Sequence, residues 1–346
     1  MELRTGEAYA RFRCLAGACP DSCCQEWSVI VDPEKAAFYR SLPGTLGDSL
    51  RRALRPTPEG ETEMCLESSG RCPMWRPDGL CRIQAELGEQ ALCRVCRDFP
   101  RLRHDYGDFA ELGLELSCPE AARLILSASP DRWLSSCVPG DGSPDYAPQD
   151  MQLLLSSRLH LLTLTADPRY SVAQILTVLL LYGYDVDDAL AYGGTLPEDS
   201  FSPEKYLAAA KALPRQGSLA DIFGFYRNLE ILTPRWRNLL EQGPTDAPWS
   251  DGFRPLIRYF LERYWLQAVS DLDLAARVKF IVLSCLVIGS VRLPLPQAAQ
   301  LYAKEIENDA ENVGAILDGA FSSPAMPDVA ILTLIENKQE KAKKTT

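Results

Sequence analysis

Ten of the twelve cysteines in this 346-residue chain precede residue 120. They open as Cys14-x4-Cys19-x3-Cys23-Cys24, resume as Cys72-x8-Cys81-x11-Cys93-x2-Cys96, and close at Cys118, the first residue of Cys118-Pro119-Glu120. Cys65 stands between the two runs, and Cys137 and Cys285 lie beyond them. Thiolates are soft ligands for zinc and for iron–sulfur clusters, so the crowding points to a metal site. Zinc takes four ligands, usually as two short C-x2-4-C pairs, which Cys19/Cys23 and Cys93/Cys96 supply. A cubane iron–sulfur cluster also takes four thiolates, and the surplus sulfurs then build a second site or surround the first. Spacing leaves both metals open. The candidate ligands are Cys14, Cys19, Cys23, Cys24, Cys72, Cys81, Cys93, Cys96 and Cys118.

Other chemistries find little material. The chain has two histidines, His104 and His160, which disfavours mixed Cys/His zinc and leaves little for a Ser–His or Cys–His nucleophile. His104 sits near the cysteines and reads as a satisfied polar residue rather than a ligand. The radical S-adenosylmethionine spacing C-x3-C-x2-C fails because Cys23 and Cys24 are adjacent. No P-loop and no G-x-S-x-G occurs. Gly193-Gly194 has no strand ahead of it and reads as a helix C-terminal turn, not a dinucleotide loop.

A chain of this length buries a sizeable core without covalent staples. Met1–Arg13 carries Glu2, Arg4, Glu7, Arg11 and Arg13 and no apolar core segment, so no signal peptide is expected. The longest apolar run, Phe280–Val291, falls short of the roughly 20 residues a spanning helix needs. The expectation is a cytoplasmic protein without a membrane segment, where thiols stay reduced and serve metals or catalysis rather than disulfides. A net charge of −11 argues against nucleic-acid binding. One basic stripe stands out: Arg71, Arg76, Arg82, Arg94, Arg97, Arg101 and Arg103 against Asp78, Glu86, Glu89 and Asp98. It would offset the charge of bound thiolates, meet an anionic group, or simply face solvent.

The elements that must position the thiols read as follows. Trp27–Pro33 is a short strand, and Asp32 caps a helix from Pro33 to about Leu42. The stretch 53–70, broken by Pro56, Pro58, Gly60 and Gly70, reads as a loop. Ala85–Cys96 is rich in helix formers, and on one helix Cys93 and Cys96 would face the same way. Leu112, Leu114 and Leu116 alternate as a strand, and a helix starts at Pro119. The fold class is therefore mostly α. A Cys-rich metal-cluster module with a short strand pair (1–137) is followed by a Gly/Ser/Pro/Asp-rich linker (138–149) and an all-helical domain (150–346). Helices are expected near 150–166, 171–191, 203–213, 218–229, 234–242, 251–270, 273–291, 297–318 and 327–342, with Ile175–Leu181 and Phe280–Ile288 as buried core.

Four cysteine-anchored blocks are similar to the flagellin lysine-N-methylase family. They are Phe12-Arg13-Cys14 with Cys19-Pro20-Asp21-Ser22-Cys23-Cys24-Gln25-Glu26-Trp27-Ser28-Val29, then Leu80–Glu89, Leu92–Arg101 and Leu116–Arg123. The resemblance covers about the first 125 residues; the remainder fits in character and length. A wider group of small zinc- or iron-chelating proteins shares the C-x3-CC and Cys-Arg-x-Phe-Pro elements. The resemblance implies a [4Fe-4S] cluster held by these cysteines, S-adenosyl-L-methionine as methyl donor and surface lysines of flagellin as acceptors.

Methylation requires a neutral amine, yet lysine titrates near about 10.4. The site must therefore desolvate the lysine or remove its proton. Trp27, Trp75 and Tyr106 are candidate walls, and Glu86, Glu111 and Glu115 are candidate carboxylates. An acidic surface suits a lysine-bearing partner. Two further readings stand beside this one: a non-catalytic zinc- or iron-binding module with a helical partner-binding domain, and an electron-transfer protein.

Overall fold

The computed structural model describes residues 1–27, 29–127, 133–138, 142–193, 196, 201–214 and 216–345, with the side chains of 341–345 left aside. Ser28 of the expected first strand, part of the expected linker, Gly194 and Thr346 lie outside the described residues.

The front of the chain runs β1 (Glu2–Thr5), α1 (Glu7–Arg11), β2 (Val29–Ile30), α2 (Pro33–Ser41), α3 (Gly44–Ala53), β3 (Leu54–Pro56), β4 (Thr62–Met64), α4 (Arg82–Leu87), α5 (Arg94–Asp98), β5 (Arg101–Asp105), β6 (Phe109–Leu114), α6 (Pro119–Ser127) and β7 (Leu134–Cys137). As expected, Asp32 caps α2, its carboxylate accepting from the Lys35 amide, and Pro33 fills a position where the missing N–H costs nothing. In place of one strand pair there are two sheets, ordered β5-β6-β1-β7 and β2-β4-β3. The sequence pattern missed β1 because it lies in a charged segment and pairs, parallel, with β6, which is remote in the chain. It missed β3 and β4 because Gly60, at φ +87°, turns the proline- and glycine-rich stretch into a hairpin.

The expected helix over Ala85–Cys96 is broken. Gly88, at φ 85°, ends α4, a single 3-10 turn follows at Glu89–Ala91, and α5 begins after Cys93. Cys93 is thus the extended N-cap residue of α5 and Cys96 lies inside the helix.

The rest of the described chain is helical: α7 (Pro148–Ala166), α8 (Val172–Ala191), α9 (Pro203–Lys211), α10 (Leu219–Tyr226), α11 (Pro234–Glu241), α12 (Phe253–Tyr264), α13 (Leu274–Ile288), α14 (Leu295–Tyr302), α15 (Ala310–Ser322) and α16 (Asp328–Thr345). Ser171 and Gln174 form a reciprocal capping box at α8, while Thr233, Asp273 and Asp309 cap α11, α13 and α15. The helix expected over 297–318 is two helices. A π-helical turn, Ala303–Glu307, follows α14, and Asp309 starts α15 by accepting the Glu311 and Asn312 amides.

Every residue of α13 except Arg277 is buried, and a Cβ on Gly183 of α8 would lie 2.5 Å from Val278, so these helices meet at a glycine contact. Their core extends to Tyr106, Phe109, Leu116 and Ala122, so β6, α6 and the loop preceding β6 share apolar packing with the helical part. A second, smaller core gathers Val31, Tyr39, Leu50, Met74, Ile83 and Cys93 beneath the thiols. No helix among the described residues is long and apolar enough to cross a membrane.

Candidate functional site

Backbone contacts bring the cysteine runs together. The Cys72 amide donates to the Cys24 carbonyl at 2.7 Å, and Gln25 bridges Arg71. Trp75 bridges Cys81, while the Arg82 amide donates to the Met74 carbonyl at 2.7 Å. The Arg94 amide donates to Asp32 Oδ1 at 2.7 Å, so the residue that caps α2 also anchors the start of α5. Beneath them the Tyr39 hydroxyl donates to the Ala91 carbonyl at 2.7 Å. The Cys24–Cys72, Gln25–Arg71, Asp32–Arg94 and Tyr39–Ala91 contacts join segments distant in sequence, while Trp75–Cys81 and Met74–Arg82 close a local turn.

All twelve cysteines are free. Six of the nine candidates form one electrostatic group. Cys23 and Cys24, and likewise Cys93 and Cys96, perturb each other's ionisation, and Cys72 feels Cys81, Cys93 and Cys23. Cys96 in turn senses Cys24 and Cys72. The remaining three form a second group, since Cys118 senses Cys19 and Cys14, and Cys19 senses Cys14 and Cys23. Cys65, Cys137 and Cys285 stand apart, the last buried in α13. Among the described residues no three or more His, Cys, Asp or Glu side chains converge closely enough to hold a metal ion. The sulfurs are neighbours, but their arrangement is not a closed coordination shell.

The thiols differ in proton affinity. The adjacent Cys96 side chain favours the Cys93 thiolate and brings it down to about 7, against the effect of burial. The Cys93 side chain in turn raises Cys96, and Cys24 raises Cys23. Burial pushes Cys72 up to about 11 and Cys118 up to about 12. Cys93 is therefore the sulfur most ready to ligate or react.

The aromatic and acidic candidates separate. Trp27 is at the thiols: its Nε1 donates to the Cys23 carbonyl at 3.0 Å and its ring meets Phe99 edge-on at 5.2 Å. Trp75 lies under Arg71, 4.3 Å from the ring centre, and its buried Nε1 has no partner. Tyr106 packs on Phe109 in the helical core instead. Glu86 pairs with Arg82 at the surface. Glu111 is buried and held by both terminal nitrogens of Arg158, at 2.6 and 2.8 Å. Burial raises the Glu115 carboxyl, with Arg263 opposing. His104, read from sequence as satisfied, has a buried Nε2 without a partner, and His160 stacks on Phe201 in the helical part. The basic stripe is largely neutralised in place, with Arg76, Arg82, Arg97 and Arg103 each paired to an acid one to four residues away.

The cation that does reach the thiol loop comes from the other end of the chain. Lys304, 3 % exposed in the π turn, places Nζ 2.7 Å from Glu26 and 3.3 Å from Asp21, beneath Trp27. Gln300 donates to Asp21 Oδ2 at 2.9 Å and to the Ser117 carbonyl at 2.8 Å. Burial alone would raise Asp21, but Lys304 and the hydrogen bonds from Ser22 and Gln300 outweigh it and hold the carboxyl below its usual range. Nothing local in Leu301–Ile306 marks this lysine, because its partners lie almost three hundred residues upstream. A separate cleft of about 660 Å³, in the range of small-molecule sites, opens between α8, α9, α12 and α16 beside Tyr170, Gln174 and Thr333.

Comparison with known proteins gives three relevant relatives. The Lysine-N-methylases of Salmonella typhimurium and Salmonella choleraesuis are 34% identical over 122 and 121 residues, which is 34% of this chain and 30% of each of theirs. The Flagellar biosynthetic protein FliU of Salmonella muenchen is 34% identical over 121 residues, covering 72% of its length. The chain thus matches about a third of the length of the two methylases. No family model matches the chain, and no solved structure does.

Proposed function

This chain belongs to the lysine-N-methylase family, and from that premise we propose that it is a protein-lysine N-methyltransferase. It moves methyl groups from S-adenosyl-L-methionine to surface lysines of a protein substrate, flagellin, with the thiols of its front third holding a [4Fe-4S] cluster. The observation that carries this reading is that amide hydrogen bonds such as Cys72 to Cys24 and Arg94 to Asp32 set the two cysteine runs, their thiols all free, beside each other.

The sulfurs are the soft donors such a cluster takes, on turns fixed by long-range backbone bonds, and they would have to draw closer than they stand to ligate it. Cys23, Cys24, Cys72, Cys81, Cys93 and Cys96 would supply the four ligands, with two to spare. When bound, an iron–sulfur cluster offers a Lewis-acid iron to an anionic or amine group and ties separate loops together. The chain's own residues do the rest. Trp27 covers the Cys23 side, Lys304 fixes Asp21 and Glu26 so that the loop keeps one orientation, and the acidic surface draws a lysine-bearing partner. Displacement at a methyl group asks chiefly for alignment, which rigid loops provide.

Anaerobic purification followed by iron and sulfide analysis tests the metal assignment. Stoichiometric iron and sulfide are expected, and zinc without sulfide would favour a binding module instead. Transfer of labelled methyl from S-adenosyl-L-methionine to purified flagellin tests the activity. Absence of label on any lysine, from protein with its full metal content, would overturn the reading.

A further inference from the structure

The register of β5 and β6 pairs Leu102 with Gly113 and His104 with Glu111, so these four residues share one face of the sheet. That face looks toward α12, and between them lies a cavity of about 60 Å³ lined by the same four residues together with Tyr259 and Arg263. Residue 113 leaves this space open by having no side chain, since a Cβ there would meet no atom within 4 Å. The space exceeds the roughly 10–15 Å³ that one water needs and is far below the several hundred of a small-molecule site. It accepts the end of a side chain but no nucleoside.

The charges around it are compensated. Arg158 holds both oxygens of Glu111. Arg263 donates to the Tyr259 hydroxyl at 2.9 Å and lies 3.3 Å from Glu307. Arg258 and Glu262, on the same helix, are engaged as well. The exception is Nε2 of His104, buried without a hydrogen-bond partner. Burial keeps this ring neutral, helped by Arg263 and Arg158 and opposed by Glu111.

We propose that this cavity receives the amine end of a substrate lysine and that Nε2 of His104 takes the proton the amine gives up. The inference rests on the methyltransferase reading and names the acceptor subsite. In the transfer, the amine lone pair forms the new N–C bond to a sulfonium methyl group. The old C–S bond breaks with its electron pair left on sulfur as a thioether, and the proton shed by nitrogen passes to His104 and on to solvent. Strand β6 leads from the cavity toward Cys118, one of the grouped thiols.

The chain has only two histidines, so imidazole nitrogen spectra of the whole protein assign directly once His160→Gln removes one signal. Addition of n-butylamine at alkaline pH is expected to move the His104 resonances and not those of His160, and Gly113→Leu, which fills the cavity, is expected to abolish the shift. With labelled S-adenosyl-L-methionine and a lysine-bearing protein, His104→Gln is expected to lower kcat at neutral pH by about 100-fold, the scale of a lost general base. The loss should shrink as pH rises and the amine deprotonates unaided. Gly113→Leu should raise KM instead. A wild-type rate in both variants overturns the inference and leaves the methyltransferase reading standing. Butylamine binding at His104 that Gly113→Leu blocks, in a protein that methylates nothing, keeps the amine cavity and removes that reading. An unmoved His104 resonance, with both variants folded by circular dichroism, rejects the cavity as an amine site.

Discussion

Around α13 nearly every side chain is enclosed by others, whereas the loops that carry Cys14, Cys19, Cys23 and Cys24 bury almost nothing. The helical part is held by apolar contact that begins at Tyr106 and runs to Ile335. The thiol region is held by a small core, by backbone bonds between turns, and by a seam to α14 and the π turn built on Asp21, Glu26, Gln300 and Lys304. A hydrophobic core resists the loss of any one polar contact, because its stability is spread over many burials of about 1.5–3 kcal/mol each. Loops with few buried residues have no such reserve. On the cluster reading proposed above, the front of the molecule would depend on what its sulfurs bind, while the back rests on its own core.

The sharpest way to break this contrast is to challenge the proposed metal with a chelator. Structural metal sites contribute about 10 kcal/mol to the segments they hold. Chelation, or Cys93→Ala with Cys96→Ala, is therefore expected to unfold the thiol loops while α13 stays intact. Hydrogen exchange should show segments 14–27 and 72–98 losing protection and 274–288 keeping it. Equal protection with and without metal would refute the dependence. The converse change is Phe280→Ala, a fully buried residue, whose loss is expected to cost about 3–5 kcal/mol in urea unfolding without altering metal content.

Next comes the seam. Lys304→Met leaves Asp21 and Glu26 without their cation; breaking a buried pair costs about 3–5 kcal/mol, and the partial exposure of both acids places this one at the lower end. The expected signs are a shift in Trp27 fluorescence and faster exchange in the Cys19–Trp27 loop. The smallest effect is on pH. Asp21 has its folded carboxyl below the ordinary 3.8, so the seam is fully stabilised above that value and loses the contribution as pH falls through the lower folded one. Acid titration followed by Trp27 fluorescence should show this transition, and Asp21→Asn should remove its pH dependence while weakening the seam at neutral pH.

Much of the helical part was legible because its signals are local. Ser171, Thr233 and Asp273 cap helices that begin where the pattern places them, and Asp32-Pro33 starts α2. The expected helix across 85–96 failed at Gly88, where a positive φ outweighed the helix formers around it, and that across 297–318 failed at Asp309, whose carboxylate caps a new helix instead of continuing the old one. The crowding of the cysteines is plain in the chain because residue type and spacing are properties of the sequence.

What the sequence determined on its own is thus the inventory: which sulfurs are available, which stretches coil, and which end would be rich in core. Only the tertiary structure decided the company each group keeps. It drew β1 beside β6, packed Tyr106 into the helical core and Glu111 against Arg158, left His104 facing a cavity, and brought Lys304 back to Asp21. Helix caps and turns act over a few residues and leave their mark in the local sequence. Ion pairs, parallel strand pairing and cavities join residues far apart in the chain, and no window of sequence records that they meet.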